Sequence, residues 1–433
     1  MVGGGLAGCE AAWALAERGV RVTLCEMRPG RTTEAHTTDR LAEIVCSNTF
    51  KSTELSNAHG LLKAELQVLG SLLMEVAEQV RIPGGAALTV DRELFSREVT
   101  RRVEQHQRID VVREEVTELP SRGIVATGPL TSDVLAAAIR TRLGTESLAF
   151  YDAIAPIVAA ESLDETALYR ASRYGKGEGD DFLNAPLTRE AYEAFIDELL
   201  AADQHVAKAF DTAPFFEGCL PIEEMARRGR ETLRFGPLKP VGLPDPRTGH
   251  EPHAVVQFRR EDRDGQMWNL VGFQTRLRIP EQRRVFTQLP GMAAAEFYRY
   301  GSIHRNTYLN TPATLTPYLS ARDEPQLLFA GQLVGVEGYT ESLATGLLAG
   351  HNLVRLLHNL EPLVPPEETM LGALMRYVRD CDPHRFQPMN ANFGLLPPLD
   401  RRVRDKRRKR TLLSERALAA MHRFAGELAT IPA

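Results

Sequence analysis

Apolar and polar positions follow one another along the chain in a rhythm that predicts its elements. Residues 1–2 lead into a glycine-rich turn, then a small-residue apolar helix over 9–18 that stops at Gly19. An alternating strand, Val20-Arg21-Val22-Thr23-Leu24-Cys25, follows it. Leu61, Leu62, Leu66, Leu69, Leu72, Leu73 and Val76 recur close to a 3.6 period and predict one helix over 57–80, broken by Pro83-Gly84-Gly85. Asp91 caps a predicted helix to His106. Residues 109–113 and 116–119 read as hairpin strands, and 124–129 as a short apolar strand ending in a glycine turn. Thr131-Ser132-Asp133 then caps a helix to Leu143.

At about Ala155 the rhythm stops, and Tyr and Phe become frequent up to about Asn310. Within that segment, 253–258 and 268–275 read as strands paired across the polar turn Asp262-Arg263-Asp264-Gly265. The earlier pattern resumes with a buried strand over 326–332 and a small-residue helix, opened by 335–342, that runs through Gly350. The predicted fold is α/β: a split, Rossmann-like domain of the two-dinucleotide type over 1–155 and 310–433. An α+β domain carrying Cys219 is inserted at 156–309. No internal repeat or low-complexity tract interrupts it.

The turn at the start has the spacing G-x-G-x-x-G at Gly3, Gly5 and Gly8. A dinucleotide pyrophosphate needs a tight bend, a close backbone approach and a close helix–strand contact at those three places. Glu26 ends the next strand, where an acid accepts a hydrogen bond from a ribose 2′-OH, so FAD or NAD is favoured over NADP. Only two residues precede the glycines, which predicts a shortened first strand. A second glycine turn near the other end of the chain favours FAD over NAD, with a flavin ring at the N-terminus of the helix after Gly338. No second fingerprint offers a stable nicotinamide site, so an NAD(P)H donor is expected only as a visitor.

Length and composition narrow the class. The chain has 433 residues, 43% hydrophobic and 25% charged, which suits a globular protein of two domains or three. No apolar run reaches the length of a membrane span and no basic-then-apolar leader opens the chain, so a cytoplasmic protein without membrane contact is expected. Five scattered cysteines without C-x-x-C spacing argue against disulfides and against a metal site. Cys9 and Cys25 read as small buried apolar residues. Cys46, beside Ser47 and Asn48, and Cys219, between Gly218 and Pro221, stand in polar or turn-like settings that suit reactive thiols. The balance of 52 basic against 57 acidic residues does not announce a nucleic-acid binder. The run Arg401, Arg402, Arg404, Lys406, Arg407, Arg408, Lys409 and Arg410 does suggest a polyanion contact. Shorter clusters, at 227–230, Arg259-Arg260 and 276–284, read as solvated faces.

Several segments together carry a resemblance. They are 3–12, Glu26-Met27-Arg28-Pro29, 42–48, Ala126-Thr127-Gly128-Pro129, 235–243, His304-Arg305-Asn306 and 335–342. The chain resembles the bacterial folate- and FAD-dependent tRNA (uracil-5-)-methyltransferases, the TrmFO family, which is related to the GidA/MnmG flavoproteins; the likeness thins after about Asp400. The resemblance implies formation of ribothymidine at position 54 in the tRNA T-loop. Methylenetetrahydrofolate would be the carbon donor, and FAD, reduced by NAD(P)H, the reductant. It implies FAD contacts at Gly3, Gly4, Gly5, Leu6, Ala7, Gly8, Glu26, Met27, Arg28, Thr127, Gly128, Gly331, Gln332, Gly338 and Tyr339. It implies folate contacts at His304, Arg305 and Asn306, tRNA contacts along the basic run, and no obligate protein partner. C5 of uracil accepts a carbon unit only after a nucleophile adds at C6, so two cysteines fit: Cys219 as nucleophile and Cys46 as its partner. Two other readings stay open. One is a GidA/MnmG-like enzyme of wobble uridine, for whose long helical C-terminal domain this chain ends too soon. The other is a catalytically silent tRNA-binding flavin-fold protein. An FAD oxidoreductase of small substrates would leave the basic run without use.

Overall fold

A computed structural model describes residues 1–144, 148–205, 220–400 and 402–430 of the chain. Its central sheet is assembled from both ends of the sequence. Val22–Cys25 pairs in parallel with Ile109–Val112, and Gly123–Val125 pairs in parallel with Glu324–Phe329, which carries the antiparallel edge strand Ser320–Ala321. Val2 bridges the two halves, with parallel bridges to both Cys25 and Val125. The first strand is thus one residue of ladder, as its brevity predicts. It holds because its backbone is satisfied on both sides: Val2 N donates to Ile124 O at 2.9 Å, and Gly3 N to Cys25 O at 2.8 Å.

Two helices cover this sheet junction. Leu6–Ala16 and Tyr339–Leu357 approach so closely that a Cβ on Gly346 would lie 2.3 Å from Ala7 O, and one on Gly350 2.9 Å from Ala11 O. The contacts advance in the same sense along both helices, so they run parallel and their N-termini open at the same end of the sheet. This close approach is why both helices are written in Ala and Gly.

Several expectations are corrected. The stretch 57–80 is two helices, Ala58–Val68 and Leu72–Gln79, because Gly70 takes a left-handed φ of 79° and Ser71 caps a new helix by accepting from Met74 N. Apolar periodicity continued across the break because both helices face one core. Residues 109–112 form no hairpin: they join the parallel sheet beside Val22–Cys25, and 116–119 forms no strand. Cys25 is only half-buried, whereas Cys9 is fully buried. Caps by Asp91 and Ser132 stand as expected.

The segment between Ile157 and Arg299 builds a six-stranded sheet around Ala254–Arg260, which pairs antiparallel with Met267–Leu270 and with Phe182–Leu187. Helices Arg189–Ala201 and Ile279–Phe286 contribute to a second apolar cluster there, including Phe195, Ile196, Phe258, Phe273 and Phe286. The first cluster takes its residues from 2–139 and 308–428. Leu148–Ile154 and Ser302–Tyr308, paired antiparallel, form the two chain crossings between the clusters. Among the described residues no helix is long and apolar enough to cross a membrane.

Candidate functional site

The glycine turn is shaped by contact at three positions and by emptiness at one. A Cβ on Gly8 would sit 1.8 Å from Gly3 O, and one on Gly3, at φ 98°, would sit 2.7 Å from Ala126 O. Gly4 is closed in by Leu41 and Glu26. Gly5 has nothing within 4 Å of its Cβ position and lines an open cleft. That is the place where a phosphate needs bare backbone. Glu26 Oε2 accepts from Gly4 N at 2.9 Å, and Oε1 accepts from Arg28 N at 3.1 Å and Arg28 Nε at 2.8 Å. Burial alone would raise the Glu26 pKa, but the Arg28 hydrogen bonds and charge, with the Gly4 amide, outweigh it and hold the carboxyl below its ordinary value. Oε2 keeps a lone pair for a ribose hydroxyl. Arg28 is fixed in turn by Glu43 Oε2 at 3.1 Å and Thr38 O at 3.2 Å. Met27, Thr127 and Leu130 line the same cleft.

Leu130 also lines a larger cavity of about 290 Å³, next to the first, that holds Cys46, Gln332, Gly338, Tyr339, His304 and Asn306. Cys46 stands in the loop before strand Thr49–Ser52. The hydroxyl of Tyr339, in the first turn of its helix, accepts from Cys46 N at 2.9 Å and Ser47 N at 3.1 Å, tying the thiol loop to that helix end. Burial first, then the neighbouring Cys46, push the Tyr339 phenol pKa up, so its oxygen accepts these two bonds as a neutral hydroxyl. Three guanidinium groups surround the loop. Arg92 donates to Cys46 O at 3.4 Å and to Ile44 O, Arg299 donates to Val45 O at 2.8 Å, and Arg259 donates to Asn48 Oδ1 at 2.9 Å. One buried carboxylate, Glu261, pairs with Arg92 at 2.7 Å and lies 3.9 Å from Arg259. The loop therefore sits in a positive field suited to an anion or to developing negative charge. Glu337, another residue of the cavity lining, is buried beside Asp152, and burial first, then that carboxylate, push its pKa well up. Glu337 accepts from Gln332 Nε2.

A dinucleotide fits these residues on one structural ground. Of the described helices of eleven residues or more, six carry a side-chain cap, from Asn57, Asp91, Ser132, Thr188, Thr369 or Asp405. The two without one are Leu6–Ala16 and Tyr339–Leu357, whose N-termini open on the two cavities. Each free helix end attracts an anionic group by about 0.3–1 kcal/mol. A group with a phosphate at one end and an electron-rich ring at the other meets both, as FAD does.

The other expected residues fall as follows. Leu6 and Ala7 begin the first helix, and Ala7 lies 3.0 Å from the Cβ position of Gly331, whose N–H donates to Thr345 Oγ1 at 2.8 Å. Gly128 takes a left-handed φ of 69° and its carbonyl accepts from Thr131 Oγ1. His304 is buried with Nε2 3.0 Å from Ser302 Oγ, while its Nδ1 finds no hydrogen-bond partner among the described residues; burial lowers its pKa. The Arg305 side chain, Arg401 and Cys219 lie outside the described residues. Leu220 is described, and Ile222 N donates to Gln274 O at 2.7 Å, Gln274 being part of the cavity wall. The basic run opens helix Lys406–Ala429 with Arg407, Arg408 and Lys409 exposed. Arg410 stacks over Phe393 instead, 5.5 Å from the ring centroid. Arg259 corrects the reading of the short clusters as solvated: it lies on a strand, not on an exposed helix, and is 8% exposed. Arg92, Arg299, Asp152 and Glu337 were not singled out in sequence, because what joins them to Cys46 is tertiary.

Fold and cavities together define a dinucleotide-binding flavoprotein of the split α/β class. Residues 1–361 match the family described as glucose inhibited division protein A, and the full-length likeness to curated relatives narrows the group, so the chain belongs to the TrmFO branch of that family. It is 57% identical over 433 residues to the methylenetetrahydrofolate--tRNA-(uracil-5-)-methyltransferase TrmFO of Geobacter sulfurreducens, covering 100% of this chain and 99% of that protein. It is 54% identical over 426 residues to the protein of the same name from Natranaerobius thermophilus, covering 98% of each. Among solved structures, GidA of Aquifex aeolicus matches with a TM-score of 0.73 at 15% identity, over 100% of this chain and 73% of that one, a likeness of fold.

Proposed function

We propose that this protein is a tRNA methyltransferase that forms 5-methyluridine at position 54 of the T-loop from 5,10-methylenetetrahydrofolate, FAD and NAD(P)H. The observation that carries the reading is the tie between Tyr339 Oη and the backbone of Cys46 and Ser47, which sets a thiol at the free end of the helix expected to face the flavin. FAD, when bound, supplies the electrons that turn a methylene unit into a methyl group. The turn at Gly3, Gly5 and Gly8 and the Glu26 carboxylate hold its dinucleotide end, and Gln332, Gly338 and Tyr339 border its ring end. Cys219 adds to C6 of the uracil, the ring electrons move towards C5 and O4, and C5 bonds the methylene unit given up by the folate. The C6–sulfur bond breaks when that unit is reduced to methyl, which releases the product and the thiol. Cys46 removes the C5 proton, and the positive surroundings of its loop favour the negative charge that accompanies these steps. His304 and Asn306 border the folate. Arg407, Arg408 and Lys409 meet tRNA phosphates. The chain is read as an FAD domain of 1–155 and 310–433 and an inserted domain of 156–309; two separate apolar clusters, one drawn from 2–139 and 308–428 and one from 155–295, support that reading.

The test is direct. FAD-loaded protein is incubated with unmodified tRNA, methylenetetrahydrofolate and NAD(P)H, and the nucleosides are analysed. Ribothymidine at position 54 is expected; its absence, with FAD bound and reduced, overturns the reading. A Cys219→Ala protein that still traps 5-fluorouracil-containing tRNA covalently would reverse the roles of the two cysteines.

A further inference from the structure

The wall of the larger cavity contributed by the 157–299 sheet carries two neighbouring polar side chains, Arg259 and Asn269, whose donors are not all used among the described residues. Arg259 and Asn269 are a directly opposed antiparallel pair on neighbouring strands, so their side chains stand together on one face. Both line the cavity that holds Cys46, and both are more than nine-tenths buried, at 8% and 2% exposure. Arg259 Nε is committed to Asn48 Oδ1, and its Nη2 lies 3.4 Å from Asn269 Oδ1, which leaves Nη1 without a hydrogen bond among the described residues. Guanidinium only donates, so the amide of Asn269 must turn its oxygen to Arg259 and its Nδ2 elsewhere. That Nδ2 is buried with no partner among the described residues. An unmet buried donor costs about 1–3 kcal/mol, a cost offset when a ligand supplies the acceptor. Asn48 fixes the pair in place: its Nδ2 donates to Val90 O at 2.9 Å and Arg260 O at 2.8 Å, and it lies two residues from Cys46.

We infer that Arg259 and Asn269 receive the C4 carbonyl of the target uracil, through two N–H donors aimed at one oxygen. The inference rests on the methyltransferase reading above. When a sulfur bonds to C6, the C5=C6 π pair shifts and C4–O4 takes up the negative charge, so the same donors hold O4 more tightly in the transition state than in the ground state. Cytosine presents an amino group at that position and would set donor against donor, so the pair also selects uracil. Asn48 is a positioning residue that keeps Arg259 beside the Cys46 loop.

A pterin carries a similar ring carbonyl, and the experiment separates the two. FAD-loaded Asn269→Asp, Asn269→Ser and Arg259→Lys proteins are assayed for ribothymidine, and tetrahydrofolate affinity is measured by calorimetry. The expected result is a kcat lower by roughly a hundredfold, as for loss of an oxyanion donor, with tRNA KM and tetrahydrofolate affinity little changed. Asn269→Ser, the smallest change, keeps the test open if Arg259→Lys fails to fold. A tRNA with 4-thiouridine at position 54 offers a poorer acceptor; it should slow the wild type, and slow the Asn269 variants by much less, because the contact is already gone. Wild-type kcat in the variants, tetrahydrofolate affinity lost in step with activity, or fully multiplying losses would each overturn the assignment. A wild-type chain that forms no ribothymidine in the same assay overturns the reading beneath it instead.

Discussion

The two neighbouring cavities are built in opposite ways. In the glycine-turn cavity, Gly3, Gly5, Gly8, Glu26 and Arg28 come from one short stretch, and each answers to backbone geometry or a local hydrogen bond. At the thiol end, Cys46, Arg92, Asp152, Arg259, Arg299 and Tyr339 come from six separate segments and are held by buried polar contacts across both apolar clusters. Holding a fixed group needs shape, which a short motif supplies. Holding charge that appears during a reaction needs donors from several directions, which only tertiary structure supplies.

The sharpest break in this comparison is Gly8 against Gly5. Gly8→Ala forces a Cβ to within 1.8 Å of Gly3 O, so the helix must leave the turn; we expect a loss of at least about 3 kcal/mol in denaturant unfolding and no bound flavin colour. Gly5→Ala meets nothing within 4 Å and should fold as before while losing flavin absorbance. At the other end, Arg92→Gln leaves Glu261 buried with a weakened partner and should cost roughly 3 kcal/mol in thermal unfolding, with FAD still bound at permissive temperature.

The acids at the two ends should respond to pH with opposite sign. The Glu26 pKa is lowered in the folded chain, so its contribution is present above its unfolded value, near 4.5, and is lost as pH falls through the folded one. The Glu337 pKa is raised, so its burial favours the folded state least at neutral pH: stability falls as pH rises from about 4.5 towards the folded value. Melting curves of Glu26→Gln should lose stability relative to wild type near neutral pH and converge with it in acid, whereas Glu337→Gln should gain relative to wild type as pH rises. The smallest effect belongs to the exposed basic run. Replacing Arg407, Arg408 and Lys409 by Ala should leave melting within about 0.5 kcal/mol and flatten the salt dependence of tRNA binding by about three counterions.

What could be read from sequence follows the same division. The turn at Gly3 to Gly8, the acid at Glu26, the change of rhythm near Ala155 and the returning helix at Tyr339 all follow from spacing and period. The helix break at Gly70 was hidden because Leu66, Leu69, Leu72 and Leu73 stay buried on both sides of it. Arg259 was hidden for a different reason. In sequence it is half of a charged pair, and only its register opposite Asn269 and its bond to Asn48 turn it inward. Asn48 itself was visible beside Cys46, but its role in joining the thiol loop to the inserted sheet exists only between segments far apart in the chain.

The central claim is that the thiol of Cys46 and the flavin serve one uracil. Single-turnover methylation by FAD-loaded Cys46→Ala, with NAD(P)H bleaching followed on the same sample, tests it most directly. The account predicts bleaching at the wild-type rate and ribothymidine reduced by at least about a thousandfold. Bleaching together with ribothymidine at the wild-type rate would contradict it.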